Sequence, residues 1–228
     1  MTNEEFSNEF DVLANSNSIV KPFGLTDTPL EFNEYEKSVF LTKAQETIVR
    51  ALYSGNLTGK SFEETEELRK YLNTLVKTKT LEKADGYGLN TNSYLYNLDD
   101  DIMFITYETA TSTDKKLCGD KTQFEVLPVT QDEFFSTYNN PFRGANERRI
   151  LRLDIDNGVE LISKYNIDSY TIRYISKPTP IILIDLPDGL SIDKESKETK
   201  CELNSVLHRL ILEEAVNEAL KSRSGTSK

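Results

Sequence analysis

Apolar residues recur at helical spacing near both ends of the chain and alternate at strand spacing between them. Close to the start, Phe6, Phe10 and Leu13 share one face of a helix predicted over residues 2–15, with Thr2 and Glu5 placed for a capping box. A lone helix of this length is marginal in water, so its aromatic stripe requires a docking surface, in its own core or on a neighbouring protein. Residues 15–32 contain Pro22, Gly24 and Pro29 and read as a loop. A longer helix is predicted over 34–54. Asn33 caps it, Glu36 follows three residues later, and Gly55 stops it. Val39, Phe40, Ala44, Ile48, Ala51 and Leu52 form its apolar stripe. Ser61 and Glu64 open a further helix with Thr65, Leu68, Leu72, Leu75 and Val76 on one side. The short connection through Gly55 and Gly59 predicts that these two helices are antiparallel neighbours.

From residue 77 to 92 the pattern lapses, and Gly86 and Gly88 suggest a surface loop. Strands are then predicted at 93–98, 102–109 and 123–127. In the second, Ile102, Phe104 and Thr106 point one way and Met103, Ile105 and Tyr107 the other, which predicts cover on both faces. Pro128 closes the third. A short helix over 131–138, with Thr130 as cap and Glu133 at the capping-box position, leads to a turn-rich loop at 139–144 with Phe142 and Arg143 at its tip. A strand at 150–155 meets Asp156-Asn157-Gly158, whose Asn-Gly pair fits a type I′ hairpin turn, and residues 159–163 return. The next strand, 169–176, directs Tyr170, Ile172 and Tyr174 to one face and Thr171, Arg173 and Ile175 to the other. Pro178 and Pro180 each remove a backbone donor, so the chain there is an edge or an extended crossover. An apolar run at 181–184 and a turn at 187–189 lead to a last helix, from near Cys201 to about Leu220, capped near 202–204. Its stripe is Leu203, Val206 or Leu207, Leu210, Ile211, Ala215 and Ala219.

These elements predict an α+β fold: a helical bundle from N- and C-terminal segments (residues 1–80 with 200–222), and a mostly antiparallel β-rich middle (90–190). The last helix returns to pack on the N-terminal pair, and 223–228 is a disordered tail.

Composition narrows the classes of function. The 228 residues are 37% hydrophobic and 29% charged, enough for a buried core under a polar surface. Mean hydropathy is -0.50, and no apolar run approaches membrane-spanning length, so neither insertion in a membrane nor export by an ordinary signal is expected. A net charge of -11 argues against gripping nucleic acid by its phosphates. Cys118 and Cys201 are far apart with no CxxC; they read as buried thiols, with a disulfide between them as the alternative.

Candidate chemistry is sparse. Asp154 and Asp156 at a strand end resemble a two-carboxylate metal site, but no glycine-rich phosphate loop accompanies them, and hairpin turn chemistry accounts for the pair. Asp99-Asp100-Asp101 reads as a solvated acidic turn. His208 is the sole histidine, with no nucleophile elbow in the sequence, so a structural role is favoured. No catalytic, metal or cofactor site is assigned. Arg143, Arg148, Arg149 and Arg152 form a local basic cluster, suited either to carboxylates of a neighbouring subunit or to pairing within the chain.

Several stretches together carry a family resemblance. They are Asn33-Glu-Tyr-Glu-Lys-Ser-Val-Phe-Leu-Thr-Lys-Ala-Gln-Glu46, Phe62-Glu-Glu-Thr-Glu-Glu67, Asn140-Pro-Phe-Arg143, Tyr170-Thr-Ile-Arg-Tyr174 with Lys177-Pro-Thr-Pro-Ile-Ile-Leu183, and Cys201-Glu-Leu-Asn204 with Leu207-His208. In this order, over about residues 1–222, they resemble the ring proteins of crAss-like bacteriophages, which lie between portal and tail. The resemblance implies a virion structural protein and no enzyme: a dodecameric head–tail connector ring, portal-proximal, made in the host cytoplasm. Its implied partners are copies of itself, the portal protein, further tail ring or hub proteins, and genomic DNA passing through the lumen without sequence-specific binding. No cofactor is implied. The candidate interface comprises Phe142, Arg143, Arg148, Arg149, Leu207, His208 and Ile211. The alternative from another class is a β-rich module on a tail appendage that recognises host glycan. It requires exposed aromatics, and the absence of tryptophan counts against it. A metal-dependent nuclease or transferase built on Asp154 and Asp156 is the third reading and is not expected.

Overall fold

The computed structural model describes residues 1–17, 30–57, 59–85, 88, 90, 92–117, 121–187 and 189–224. In chain order these form α1 (Asn3–Asn17), α2 (Glu34–Ser54), α3 (Glu66–Leu72), β1 (Val76–Leu81), β2 (Ser93–Asn97), β3 (Ile102–Ser112), β4 (Thr122–Pro128), α4 (Phe134–Tyr138), β5 (Arg149–Ile155), β6 (Gly158–Ile162), β7 (Ser169–Ser176) and α5 (His208–Ser224). The fold is α+β. Internal contacts divide it into two units, Met1–Leu75 with Pro178–Lys228, and Val76–Lys177.

In the first unit the capping signals act as read. Asn33 Oδ1 accepts from Glu36 N at 2.7 Å, and Glu36 Oε2 accepts from Asn33 N at 3.0 Å. Gly55 ends α2 in the left-handed region at φ 79°. The buried face of α2 differs from the predicted stripe. Leu41 and Val49 are buried, whereas Val39, Phe40 and Ala51 are only half-buried. The reason is a polar row on the same face. Ser38 Oγ accepts from Leu183 N (3.1 Å), Thr42 Oγ1 from Ile181 N (3.1 Å), and Gln45 Nε2 donates to Thr179 O (2.8 Å). Side chains spaced i, i+4, i+7 on α2 thus satisfy the α2-facing backbone of the proline segment, while Ile182 turns the other way and bridges Thr199.

Helix α3 is shorter than predicted. Ser61 N donates to Glu64 Oε2 at 2.8 Å, but that pair closes a turn, and Thr65 caps the seven-residue helix that follows. So short a helix offers little surface, and α2 packs along α5 rather than along α3. The last helix starts at His208, later than predicted. Residues 205–207 form a 3-10 turn, with Asn204 Oδ1 accepting from Val206 N at 3.1 Å. Leu203, Leu207, Ile211, Leu212, Ala215, Val216 and Ala219 are buried, while Val206 and Leu210 are exposed. Against α5 lies α1, whose Phe6 and Phe10 are fully buried. Lys37 joins α1 to α2, reaching Asp11 Oδ2 at 2.7 Å and Glu34 Oε1 at 3.0 Å. The half-buried Cys201 is a free thiol that donates to Gln45 Oε1 at 3.3 Å; burial pushes its pKa up to about 11. Cys118, most of the predicted 15–32 loop and the tail beyond Ser224 lie outside the described residues.

The second unit is one seven-stranded sheet in the order β1-β7-β3-β4-β5-β6-β2, antiparallel except for the parallel β4–β5 pair. Strand β1 falls where a loop was predicted. Its Lys-Thr alternation has no apolar signal because it is an edge strand with four consecutive exposed residues, a composition that discourages pairing with other chains. Strand β3 is half-buried at each of residues 102–106, on both sides, but its alternation is not regular. Register shifts between Ile102 and Phe104 and between Ile105 and Tyr107 reset its alternation, so Ile102 and Ile105 both meet the same core and Tyr107 is exposed. At the β5–β6 hairpin Ile155 pairs with Gly158, which makes Asp156 and Asn157 the turn residues. Only Asn157 is left-handed (φ 54°), so the turn is not type I′. Glycine at 158 answers a different demand. A Cβ there would sit 2.4 Å from Tyr96 O on β2. The predicted cap of α4 also differs: Glu133 stands at the N-cap position and makes no side-chain capping bond.

Alternation along the strands builds two cores. One face gathers Phe124, Ile150, Leu161, Tyr170 and Ile172; the other gathers Leu151, Leu153 and Ile162 with Ala145 and Phe134.

Candidate functional site

A parallel strand pair needs a crossover connection, and residues 129–148 supply it between β4 and β5. Phe134 and Ala145 pin this connection to the second face of the sheet. What remains of it faces outward. Phe135 is 77% exposed, Phe142 86% and Tyr138 43%. Among the described residues these are the most exposed aromatics of the second unit apart from Tyr107, and they lie within the eight residues from Phe135 to Phe142.

The loop after α4 is held by Asn140, its second residue. Asn140 Oδ1 accepts from Phe142 N at 2.9 Å and Arg143 N at 3.1 Å, and Gly144 N donates to Asn140 O at 2.7 Å. Farther on, Asn146 Oδ1 accepts from Arg148 N and Arg149 N, repeating the device before β5 starts.

The four arginines of the basic cluster divide in two. Arg149 pairs with Glu125 at 3.3 Å, and its Nη1 donates to Phe142 O at 3.3 Å. Arg152 pairs with Glu108 at 2.5 Å and with Asp154 at 3.2 Å. Arg143 and Arg148 are exposed and make no ion pair among the described residues. Glu108 was not singled out in the sequence. It also accepts from Tyr170 Oη at 2.5 Å, and burial, with the carboxylate beside it, holds that phenol well above its ordinary pKa. The triad Glu108–Arg152–Tyr170 ties β3, β5 and β7 together. A glutamate within an otherwise uncharged strand was the sequence signal for it.

The other predicted interface residues belong to the first unit and lie inside it. Leu207 is 1% exposed, His208 6% and Ile211 0%. His208 Nε2 donates to Leu203 O at 3.0 Å, which leaves Nδ1 to accept from the Met1 amino group at 2.7 Å. Burial lowers its pKa. The outward apolar side chains of this segment are Val206 and Leu210.

Of the carboxylate candidates, Asp154 is engaged by Arg152, and its carbonyl accepts from Gln131 Nε2 at 2.9 Å; Asp156 is exposed in the hairpin turn. Asp99 and Asp101 flank the β2–β3 turn and pair with Lys79 and Lys77 of β1. Among the described residues, no group of three or more histidine, cysteine or acidic side chains is placed to hold a metal ion. Nor is any described helix long and apolar enough to cross a membrane.

Comparison with known proteins bears on this surface. The family described as phage tail ring protein 3/4 matches residues 1–228. Ring protein 3 of Bacteroides phage crAss001 is 50% identical over 230 residues, covering 98% of this chain and 97% of that protein. Ring protein 4/5 of the same phage is 34% identical over 247 residues, covering 99% and 94%.

Proposed function

The chain belongs to the phage tail ring protein 3/4 family, and on that premise we propose a place for it in the virion. As a structural ring protein of a crAss-like phage, it forms part of the head–tail connector. Copies close into a dodecameric ring that extends the portal channel, and genomic DNA passes through the lumen. The portal protein or another ring lies on each side of it. One phage carries two proteins related to this chain, so neighbouring rings in a stack can share its fold. The protein is made in the host cytoplasm and carries out no catalytic step; the relatives' names describe rings, not reactions.

Full-length similarity to two ring proteins carries this reading. A net charge of -11 supports it, because an acidic channel wall lets DNA slide without counterion-releasing phosphate contacts. The outward aromatic and cationic loop supports an assembly role for Phe142, Arg143, Arg148 and Arg149. Mass spectrometry and electron microscopy of purified particles test the proposal. The chain should be present in a stoichiometric ring at the neck, and its absence from the particles would sink the reading.

One observation also favours the glycan-binding reading: Phe135, Tyr138 and Phe142 are exposed aromatics on the crossover of the β-rich unit. Glycan-array binding by the purified protein, lost in Phe142→Ala, would move the assignment there.

A further inference from the structure

The tip of the crossover loop is preorganised. Its backbone is held by Asn140 and by the Arg149 guanidinium on the Phe142 carbonyl. A Cβ on Gly144 would lie 2.8 Å from both the Asn140 and Tyr138 carbonyl oxygens, so only glycine closes the loop this tightly. The chain therefore presents an exposed phenyl ring on a fixed backbone, beside a guanidinium with no ion pair among the described residues. Aromatic and arginine side chains dominate binding energy at interfaces, and a prearranged backbone loses less entropy on docking.

In the first unit a pocket of about 410 Å³ lies between α1 and the apolar run after the prolines. Leu183 and Ile184 make its apolar part, and Ile184 is 50% exposed. Glu4 and Glu34 make its acidic part. Asn3 lines it and is 7% exposed. Its Nδ2 donates to Ile182 O, Glu198 Oε1 and Thr199 O at 3.1, 2.9 and 3.1 Å, which sets the orientation of the amide. Its Oδ1 is buried without a hydrogen-bond partner. Buried acceptors are normally satisfied, so this oxygen stays closed off beneath the pocket floor and offers no contact to an occupant. Apolar wall and carboxylates together suit a ring followed by a cation.

We propose that Phe142 and Arg143 of one copy of the chain seat in this pocket of the next copy. Phe142 packs on Leu183 and Ile184, and Arg143 pairs with the exposed Glu4 carboxylate and reaches Glu34, whose Oε1 already accepts from Lys37 and Ser7. The contact is heterologous, with one copy offering the knob and its neighbour the pocket; repeated about an axis, such contacts close a ring. It rests on the ring assignment above and adds the residues through which copies meet. Charge complementarity selects the occupant. The chain carries a net charge of -11, and the knob offers a guanidinium with no ion pair among the described residues, so it complements the acidic pocket.

A photocrosslinker tests it. Full-length protein carrying p-benzoylphenylalanine at position 142 is mixed with isotope-labelled wild-type protein, irradiated and digested. Cross-links from position 142 should join copies and end on peptides containing Asn3 or Ile184. In parallel, Arg143→Glu and Glu4→Arg should each weaken self-association by about tenfold or more, and the double variant should recover most of the loss. Both side chains are exposed, so the variants retain the fold. If wild type assembles and R143E assembles equally well, or the cross-links end elsewhere on the neighbour, the contact is wrong while the ring assignment stands. Cross-links in assembled particles to a different phage protein assign the knob to that partner and overturn the contact. A wild-type chain that stays monomeric and is missing from particles removes the ring assignment and the contact together.

Discussion

The surroundings of His208 disfavour its charged form. Burial lowers its pKa, the Leu203 carbonyl works against that shift, and the nearby Met1 ammonium adds to it. With a folded value below the ordinary value of about 6.5, the stability linked to this group is present above that pH and is lost as pH falls through the folded value. Thermal melts of wild type and His208→Gln from about pH 8 to pH 5 check this. The difference between the two should narrow or reverse towards acid, and parallel curves would refute it. Two phenylalanines mark the extremes of burial. Phe10 is fully buried and packs edge-on against Phe32 at 5.3 Å, whereas Phe142 is 86% exposed. Phe10→Ala should cost about 3–5 kcal/mol in urea unfolding. Phe142→Ala should stay within about 0.5 kcal/mol of wild type, because it removes no buried contact.

At the scale of elements, side chains complete backbones that have no ladder. The row Ser38, Thr42 and Gln45 on α2 lets the proline segment run buried without joining a sheet. Thr42→Val keeps the shape but strands the Ile181 N–H, and should destabilise by about 1–3 kcal/mol in the same unfolding assay. The β2–β6 pairing depends on Gly158. An alanine there would press on Tyr96 O, so Gly158→Ala should cost about 1–3 kcal/mol, with hydrogen-exchange protection lost first at residues 93–97. Protection unchanged in β2 would show that the strands part without cost. Along β3, two register shifts reset the alternation, which is why Ile102 and Ile105, three residues apart, meet the same core.

For the molecule as a whole, alkaline pH is the severe condition. Burial pulls the Lys37 ammonium down, but its hydrogen bonds to Asp11 and Glu34 outweigh that and raise its pKa. Burial also pushes the Tyr96 phenol up to about 12, and Tyr170 is shifted in the same direction. In each case the folded state holds its proton to higher pH than the unfolded chain. Stability should therefore be complete below about pH 10 and fall steadily above it, first as unfolded tyrosine and lysine lose protons. Urea midpoints between about pH 8 and pH 11 measure this, and a flat profile would contradict it.

Local order was legible in the sequence wherever a local cause exists. Asn33, Glu36 and Gly55 set α2 to its ends because caps act through neighbouring backbone groups. The alternation of 169–176 marked β7 to its ends, and the order of motifs along the chain pointed to the ring-protein family. Only the tertiary structure decided the rest. The polar strand β1 exists because β7 pairs with it, the buried face of α2 turned to meet the proline segment, and the β5–β6 turn moved one residue because β2 demanded glycine at 158. Likewise the parallel β4–β5 pair created the crossover that carries Phe142 outward. The physical reason is common to all four: their free energy comes from partners distant in the chain, and no window of neighbouring residues contains it.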